Sequence, residues 1–251
     1  MGRRDPVFAH APAVMKQLWE SIKSGYLRVI EPVADLLVRW RVSPNVITTV
    51  GTLCYIVGGV IYGTGHIRTA GWFLSLTAIF DVLDGTVARR TGRSTTFGAF
   101  YDSTLDRVAD GFVLGGLAAF YALNVVHRSA PMVIVCLLGI IGTFLVSYTR
   151  ARAEALGIDA KVGVMQRPER VVLLAAPQAL FGLALDGAVL AAIVVLLTVT
   201  AWMTAYQRIA YVYRVTARAD ADEVAARAKV GTPPAPSAPA APPQRPSVHR
   251  A

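Results

Sequence analysis

The sequence predicts an all-α integral membrane protein with six transmembrane helices, preceded by an amphipathic helix that lies along the membrane surface. Hydrophobic residues make up 54% of the 251 residues and charged residues only 16%, which is too apolar for an ordinary soluble domain. Six apolar segments each approach the roughly 20 residues needed to cross a bilayer. Basic residues are abundant in every second connection between these segments and scarce in the others.

The N-terminal segment, residues 1–42, carries the predicted surface helix. Its apolar residues recur every three or four positions, as on one face of a helix: Val14, Leu18, Ile22, Tyr26, Val29, Val33, Leu37 and Trp40. Basic residues such as Lys16 and Lys23 lie off this stripe. An apolar stripe beside basic positions predicts a helix at the membrane interface.

The transmembrane domain is predicted to span residues 43–213. Ser43-Pro44-Asn45 is typical of the entry to a helix. The apolar segments are placed at about 46–65, 70–90, 98–123, 131–154, 170–186 and 188–212. The later residues, 214–251, become rich in Ala, Pro, Arg and Ser, a composition that predicts a disordered tail.

The basic residues indicate the orientation of the chain. The N-terminal segment, the second connection, the fourth connection and the C-terminal region hold seven, three, five and seven of them. The other three connections hold one, one and none. The positive-inside rule therefore predicts a multi-pass protein of the cell (inner) membrane with both termini in the cytoplasm. The net charge of +9 is thus an orientation signal, and binding to nucleic acid is not expected.

Four aspartates lie in or beside strongly apolar sequence. Asp81 and Asp84 are three residues apart, and Asp102 and Asp106 are four apart, so each pair shares a helix face. The predicted topology puts both pairs in the cytoplasmic third of neighbouring spans. Four anions in an apolar setting require cations, and oxygen ligands of this kind suit Mg²⁺, Mn²⁺ or Ca²⁺.

Small and basic residues accompany the aspartates. Gly85, Ala88 and Gly98 leave backbone open to a flat ligand, although residues of this size also serve helix packing. Arg89 follows at the membrane edge, where a guanidinium group can bind phosphate.

A second group of cations falls at the ends of the later spans: Arg150, Arg170 and Arg208. Snorkelling explains other arginines on this side, such as Arg214 and Arg218. Arginines at or within span ends instead indicate a second anionic ligand. Carboxylates with a metal beside an arginine pocket form the layout of a phosphotransferase.

The aspartates and their neighbours reproduce D-x2-D-G-x2-A-R-x8-G-x3-D-x3-D, from Asp81 to Asp106, at every position. This pattern resembles the CDP-alcohol phosphotransferase family of six-span membrane enzymes, and the resemblance covers roughly residues 43–213. It implies that a CDP-linked alcohol, usually CDP-diacylglycerol, loses CMP while its lipid-linked phosphoryl group passes to an acceptor hydroxyl. It also implies a homodimer.

The resemblance implies a role for each motif residue. Asp81, Asp84 and Asp102 are expected to hold two divalent ions, Mg²⁺ or alternatively Mn²⁺. Asp106 is expected to act as the base and to share in metal binding. The residues expected to contact the cytidine nucleotide are Asp84, Gly85, Ala88, Arg89 and Gly98.

Two further stretches resemble the phosphatidylinositol-phosphate synthase branch of the family: Ser147 to Glu154 (S-Y-T-R-A-R-A-E) and Gln166 to Arg170 (Q-R-P-E-R). That branch implies inositol phosphate as the acceptor, with its phosphate on Arg150, Arg170 and Arg208. Glycerol 3-phosphate, the acceptor of a phosphatidylglycerophosphate synthase, is the main alternative. Arg107 and Asp110 continue the third span and either contact the acceptor or pair structurally.

A different class of function is also compatible with intramembrane acids, namely a channel or transporter with an acid-lined path. Acids at several depths would favour that class, whereas these acids cluster at one depth. A third option is a pseudoenzyme that binds a CDP-linked lipid without turnover, which the complete set of motif acids disfavours.

Overall fold

The computed structural model describes residues 30–165 and 167–230, which fold into helices with no strand among them. The helices are α1 (residues 30–39), α2 (Pro44–Gly63), α3 (Ile67–Thr77), α4 (Phe80–Arg90), α5 (Thr96–Leu123), α6 (Ala130–Ala155), α7 (Arg167–Phe181) and α8 (Ala188–Val230). The predicted all-α class is therefore confirmed for this part of the chain.

Local sequence explains where two helices that carry the site begin. Pro44 occupies the first turn of α2, directly after Ser43 in extended backbone, and proline is favoured there because its fixed φ suits a helix start. Thr95 precedes α5, and its hydroxyl accepts a hydrogen bond of 2.9 Å from the backbone N–H of Gly98. That bond satisfies a donor that the first helical turn otherwise leaves open.

Four stretches are long and apolar enough to cross a membrane: Pro44–Gly63, Ile67–Arg90, Ala130–Ala155 and Ala188–Ala226. The second stretch comprises α3 and α4, which are separated by a turn at Ala78 and Ile79. Both of these residues keep right-handed helical backbone angles, so the two helices follow each other as one candidate span.

The other two predicted spans, α5 and α7, are not both long and apolar enough to count as candidate membrane spans, for different reasons. The helix α5 has 28 residues, but Asp102, Asp106 and their charged neighbours interrupt its apolar sequence. The helix α7 has only 15 residues and contains Pro177. The count of six transmembrane helices thus remains a prediction for α5 and α7.

The helices α2 and α5 make the closest backbone contact around the core. A side-chain carbon added to Gly116 on α5 would fall on the carbonyl oxygen of Gly59 on α2. Small residues of this kind let membrane helices approach closely. Tyr62, Leu117 and Phe120 fill the neighbouring core and are almost completely buried. This contact fixes α5, and with it the motif acids on that helix, against α2.

The N-terminal helix α1 packs beside α4. Ile30 shares a hydrophobic cluster with Leu83, and Arg90 forms an ion pair with Asp35. The predicted surface helix starts before α1, and its earlier part lies outside the described residues. Its amphipathic membrane contact therefore stays a prediction.

The C-terminal region departs from the sequence-based prediction. The helix α8 continues to Val230, so the prediction of disorder from residue 214 is wrong for residues 214–230. This stretch is rich in alanine, the best helix former, and contains neither glycine nor proline. Residues 231–251 lie outside the described part of the chain.

Candidate active site

A cavity of about 180 Å³ lies between α4 and α5, which both pack on α2. Five of the predicted site residues line it: Asp84, Gly85, Ala88, Gly98 and Asp102. The two halves of the motif, which are separated by eight residues in the sequence, therefore face one space. We call this space the nucleotide cavity, after the ligand that the motif implies.

Asp84 is the most buried acid of the group, with 8% of its surface exposed. Its Oδ2 atom accepts a hydrogen bond of 2.8 Å from the Thr48 hydroxyl on α2. Its Oδ1 atom accepts a bond from the backbone N–H of Gly85. The sequence did not single out Thr48, because only the packing of α2 on α4 brings it to this carboxylate.

Asp81 and Asp106 share a cation. The Nη1 atom of Arg167, at the start of α7, lies 2.7 Å from Oδ2 of Asp81 and 2.9 Å from Oδ1 of Asp106. Tyr55 donates a further hydrogen bond of 3.1 Å to Asp81. Arg107 lies 3.4 Å from Asp106. Acids from α4 and α5 are therefore joined through one guanidinium group.

Asp102 differs from the other three motif acids. Its side chain makes no hydrogen bond or ion pair in the described ranges, and it lines the nucleotide cavity. Its charge is close enough to repel the charges of Asp81, Asp84 and Asp106. The four aspartates are thus gathered at one place, as predicted, although their hydrogen-bond partners differ.

The gathered side chains have the donor chemistry that divalent ions require, but they are not arranged as a ready-made metal site. In residues 30–165 and 167–230, no three Asp, Glu, His or Cys side chains form a ready-made ligand group, and Arg167 lies between two of the acids. Five carboxylates nevertheless gather here, and ion pairs among the described residues reach only three of them, Asp81, Asp106 and Asp110, but not Asp84 or Asp102. Hard oxygen donors with surplus negative charge fit Mg²⁺ or Mn²⁺.

A second cavity, of about 290 Å³, opens beside the acids, and half of the residues that line it are basic. We call it the arginine cavity, and its basic residues are Arg107, Arg150, Lys161, Arg167, Arg170 and Arg208. All three predicted phosphate-binding arginines are among them. Lys161 and Arg167 were not predicted as site residues, because their loop and helix start resemble ordinary positively charged membrane flanks.

Backbone and acidic partners hold the cations of this cavity in place. The Nε atom of Arg208 donates a hydrogen bond of 2.8 Å to the carbonyl oxygen of Val162, and its Nη1 atom donates to Val146. Arg170 is 12% exposed and lies 3.4 Å from Asp110. A preorganised set of donors binds an oxyanion without first having to order its own side chains.

One predicted nucleotide contact does not line the nucleotide cavity. The side chain of Arg89 is exposed, and it contacts Thr86 and folds over Gly85 on its own helix. Arg93, in the turn between α4 and α5, lines the cavity instead. Asn45 on α2 does so as well, at a position where the sequence pattern indicated only a helix start.

Asp106 lines neither cavity, but its neighbours line both. Arg107 and Arg167 both contact its carboxylate, and both also line the arginine cavity. Asp102, one helical turn away on α5, lines the nucleotide cavity. A hydroxyl group on a ligand in the arginine cavity would therefore meet a carboxylate next to the space that would hold a second ligand.

Comparison with known proteins agrees with this arrangement. The family model described as CDP-alcohol phosphatidyltransferase matches residues 41–207, which include every residue that lines the two cavities except Arg208. The phosphatidylinositol phosphate synthase of Streptomyces avermitilis is 36% identical over 219 residues, covering 84% of this chain and 88% of that protein. The archaetidylinositol phosphate synthase of Methanothermobacter thermautotrophicus is 34% identical over 203 residues, covering 81% and 98%.

Solved structures show the same similarity. The crystal structure of Mycobacterium tuberculosis phosphatidylinositol phosphate synthase with CDP-DAG bound superimposes with a TM-score of 0.68 at 32% identity, covering 74% of this chain and 94% of that chain. The same enzyme in complex with manganese and citrate gives a TM-score of 0.67 at 33% identity, covering 73% and 88%.

Proposed function

The chain belongs to the CDP-alcohol phosphatidyltransferase family, and on that premise we propose that it transfers the phosphatidyl group of CDP-diacylglycerol to inositol phosphate and releases CMP. One arrangement carries this proposal: Asp106 contacts Arg107 and Arg167, which line the arginine cavity, and is one helical turn from Asp102, which lines the nucleotide cavity. We therefore place Asp106 at the junction of the two cavities. Such a junction lets two phosphorylated substrates meet at one carboxylate.

The nucleotide cavity is proposed to hold the CDP end of the lipid. Gly85, Ala88 and Gly98 keep its wall free of bulky side chains, so a flat base can lie against the backbone. Arg93 is the basic side chain at its rim and Arg89 lies nearby, so both are candidates for phosphate contacts.

The aspartates are proposed to hold divalent ions. Asp81, Asp84, Asp102 and Asp106 supply carboxylate oxygens, and the implied number is two ions of Mg²⁺, or of Mn²⁺ as the alternative. When bound, such ions neutralise the diphosphate and stabilise charge on the attacking and leaving oxygens. Similarity to an enzyme whose crystal structure is described as a complex with manganese supports a divalent cofactor.

Asp106 is proposed to accept the proton of the acceptor hydroxyl. That oxygen then forms a bond to the phosphatidyl phosphorus, while the bond from this phosphorus to the CMP oxygen breaks. The phosphate of the acceptor is proposed to lie on Arg150, Arg170 and Arg208, with Lys161 at the same wall. Holding the acceptor this way converts a bimolecular step into a nearly intramolecular one.

The positions of the charges support a location at the cytoplasmic face of the cell membrane. The basic-rich connections and both termini are proposed to face the cytoplasm, which places both cavities on that side. The proposed domain, residues 43–213, would cross the membrane six times, with α5 and α7 joining the four candidate spans. The resemblance to the family implies a homodimer.

Glycerol 3-phosphate would also suit an arginine-lined cavity, so the acceptor needs a direct test. The relatives that cover most of this chain are named for inositol phosphate products, which favours inositol phosphate. A transporter is disfavoured, because the motif acids gather at one place, where Asp81 of α4 and Asp106 of α5 share Arg167, whereas an acid-lined path would spread them over several depths.

The test uses purified full-length protein in lipid nanodiscs with CDP-diacylglycerol and Mg²⁺. Release of CMP is measured with inositol phosphate, inositol or glycerol 3-phosphate, each with and without a chelator. We expect metal-dependent release with inositol phosphate and at least tenfold less with the other two acceptors. Preferential turnover of glycerol 3-phosphate would refute the acceptor, and no release with any acceptor would refute the enzymatic function.

A further inference from the structure

We propose that Arg167 couples the binding of divalent cations at the aspartates to the binding of an oxyanion in the arginine cavity. The proposal rests on the proposed function for the identity of the two sites. It assigns to Arg167 a positioning role that neither the motif nor the predicted phosphate contacts include. The coupling would make each ligand bind more tightly when the other is present.

The location of the side chain supports this role. A single guanidinium nitrogen of Arg167 lies 2.7 Å from Asp81 and 2.9 Å from Asp106, so it bridges α4 and α5. The same side chain lines the arginine cavity. Among the basic residues of that cavity, Arg167 alone forms ion pairs with acids on both α4 and α5 within the described ranges.

The Nε atom of Arg167 shows that the side chain is not fully satisfied where it lies. This atom is buried and makes no hydrogen bond in the described structure, although Oδ1 of Asp110 lies 3.8 Å away. A buried donor without a partner costs free energy, which reduces the net free-energy cost of moving the side chain to a different arrangement. The side chain is 18% exposed, and the cavity is its open side.

Competition for the carboxylates provides the physical link. A divalent ion on Asp81 withdraws the negative charge that holds Arg167, because one carboxylate oxygen cannot serve both cations at full strength. The released guanidinium can then donate two parallel hydrogen bonds to a tetrahedral oxyanion. By linkage, an oxyanion that holds Arg167 frees Asp81 for the ion by the same factor.

A purely structural role for Arg167 predicts a different effect of the oxyanion on cation affinity. If Arg167 only neutralises the acids, its removal raises the affinity for the cation. The affinity for the oxyanion and the effect of one ligand on the binding of the other then stay the same. If it couples the sites, its removal tightens cation binding, weakens oxyanion binding and reduces the mutual effect together. The ratio of cation affinities with and without oxyanion therefore separates the two roles.

The experiment measures Mn²⁺ binding to the full chain in nanodiscs by electron paramagnetic resonance, with and without sulfate as the oxyanion probe. Sulfate is expected to tighten Mn²⁺ binding to the wild-type protein at least about 5-fold, the lower end of typical coupling. In Arg167→Ala, Mn²⁺ alone should bind more tightly, and the effect of sulfate should fall below about twofold.

The matched control is Arg150→Gln. Arg150 lines the same cavity, but its ion pair is with Glu154 on its own helix, at 2.9 Å. This variant should bind sulfate more weakly and yet keep the wild-type ratio at saturating sulfate. If Arg167→Ala does not fold, Arg167→Lys is measured in its place. Its effect of sulfate on Mn²⁺ binding should also be reduced, because a single ammonium group cannot form the same parallel hydrogen bonds.

An unchanged sulfate effect in the folded Arg167 variant would overturn the coupling role. If Arg150→Gln lost the effect of saturating sulfate on Mn²⁺ binding to the same extent, the coupling role would also be overturned. The coupling would then come from the arginine cavity as a whole and not from Arg167. Neither measurement depends on turnover. The CMP-release assay tests the proposed function, and the Mn²⁺-binding measurements test the coupling role of Arg167. A failure of one proposal is therefore distinguishable from a failure of the other.

Discussion

Thr48 on α2 donates a hydrogen bond of 2.8 Å to the carboxylate of Asp84 on α4, across 36 residues of sequence. A second residue of α2, Tyr55, donates to Asp81 in the same way. The helix α2 therefore orients both acids of α4, while α5 packs against its other residues. Residues that orient metal ligands in this manner typically change metal affinity 10–100-fold when they are removed.

The first prediction concerns this support. Thr48→Val keeps the side-chain shape but removes the donor to a buried carboxylate, so Asp84 becomes less well oriented. We expect the Mg²⁺ concentration for half-maximal CMP release to rise about 10-fold or more. Thr49→Val is the control, because the Thr49 hydroxyl bonds to Asn45 and Tyr101 and to no acid. Equal effects in the two variants would refute the role of Thr48.

Sequence alone indicated that the acids gather at one place, because the information that pairs them is local. Asp81 and Asp84, like Asp102 and Asp106, share a helix face by spacing, and hydrophobicity places the two faces at one depth. Thr48 and Arg167 could not be found this way, since their contacts arise only from the packing of α2 and α7 on the motif helices. Threonine near a helix start and arginine near a membrane edge are common for other reasons.

The end of the last helix shows another limit of the sequence pattern. The composition becomes less hydrophobic after residue 213, as the sequence shows. The helix does not end there, however, because α8 continues to Val230. Alanine and alternating charges sustain α8 to Val230 without a core. The first proline after it, Pro233, is the more informative signal for where a helix must stop.

The second prediction tests the proposed base. Asp106→Asn keeps the shape of the side chain but removes its ability to accept a proton. We expect the maximal rate of CMP release to fall about 10²–10⁴-fold, the usual contribution of general base catalysis. Asp186→Asn is the control, because the side chain of Asp186 is 91% exposed and lines neither cavity. A variant of Asp106 that keeps more than a tenth of the rate would exclude the proposed role.

The third prediction concerns the contact that positions α5. Gly116→Ala places a methyl group on the Gly59 carbonyl, and the two backbones must separate. We expect a loss of stability of about 1–3 kcal/mol, seen as a lower thermal midpoint in detergent. Gly115→Ala is the matched control, because a side-chain carbon at Gly115 meets nothing within 4 Å. It should be neutral or slightly stabilising, since alanine favours a helix over glycine.

The fourth prediction concerns the acceptor site. Arg170→Gln removes a nearly buried charge that lines the arginine cavity, so an acceptor phosphate loses a charge-assisted hydrogen bond. Such bonds contribute about 1.5–3 kcal/mol, which corresponds to a rise of about 10–100-fold in KM for inositol phosphate. The KM for CDP-diacylglycerol should change little, because Arg170 does not line the nucleotide cavity.

The control for this change is Arg152→Gln on α6. Arg152 is exposed and does not line the arginine cavity, although it is only two residues from Arg150, which does. Its variant tests whether positive charge near this end of α6 suffices to attract the acceptor through long-range attraction, an effect that salt would screen. A similar rise in KM for both variants would show that general attraction, and not a bound phosphate, explains the basic cavity. A rise confined to Arg170→Gln that persists at high salt would locate the phosphate there.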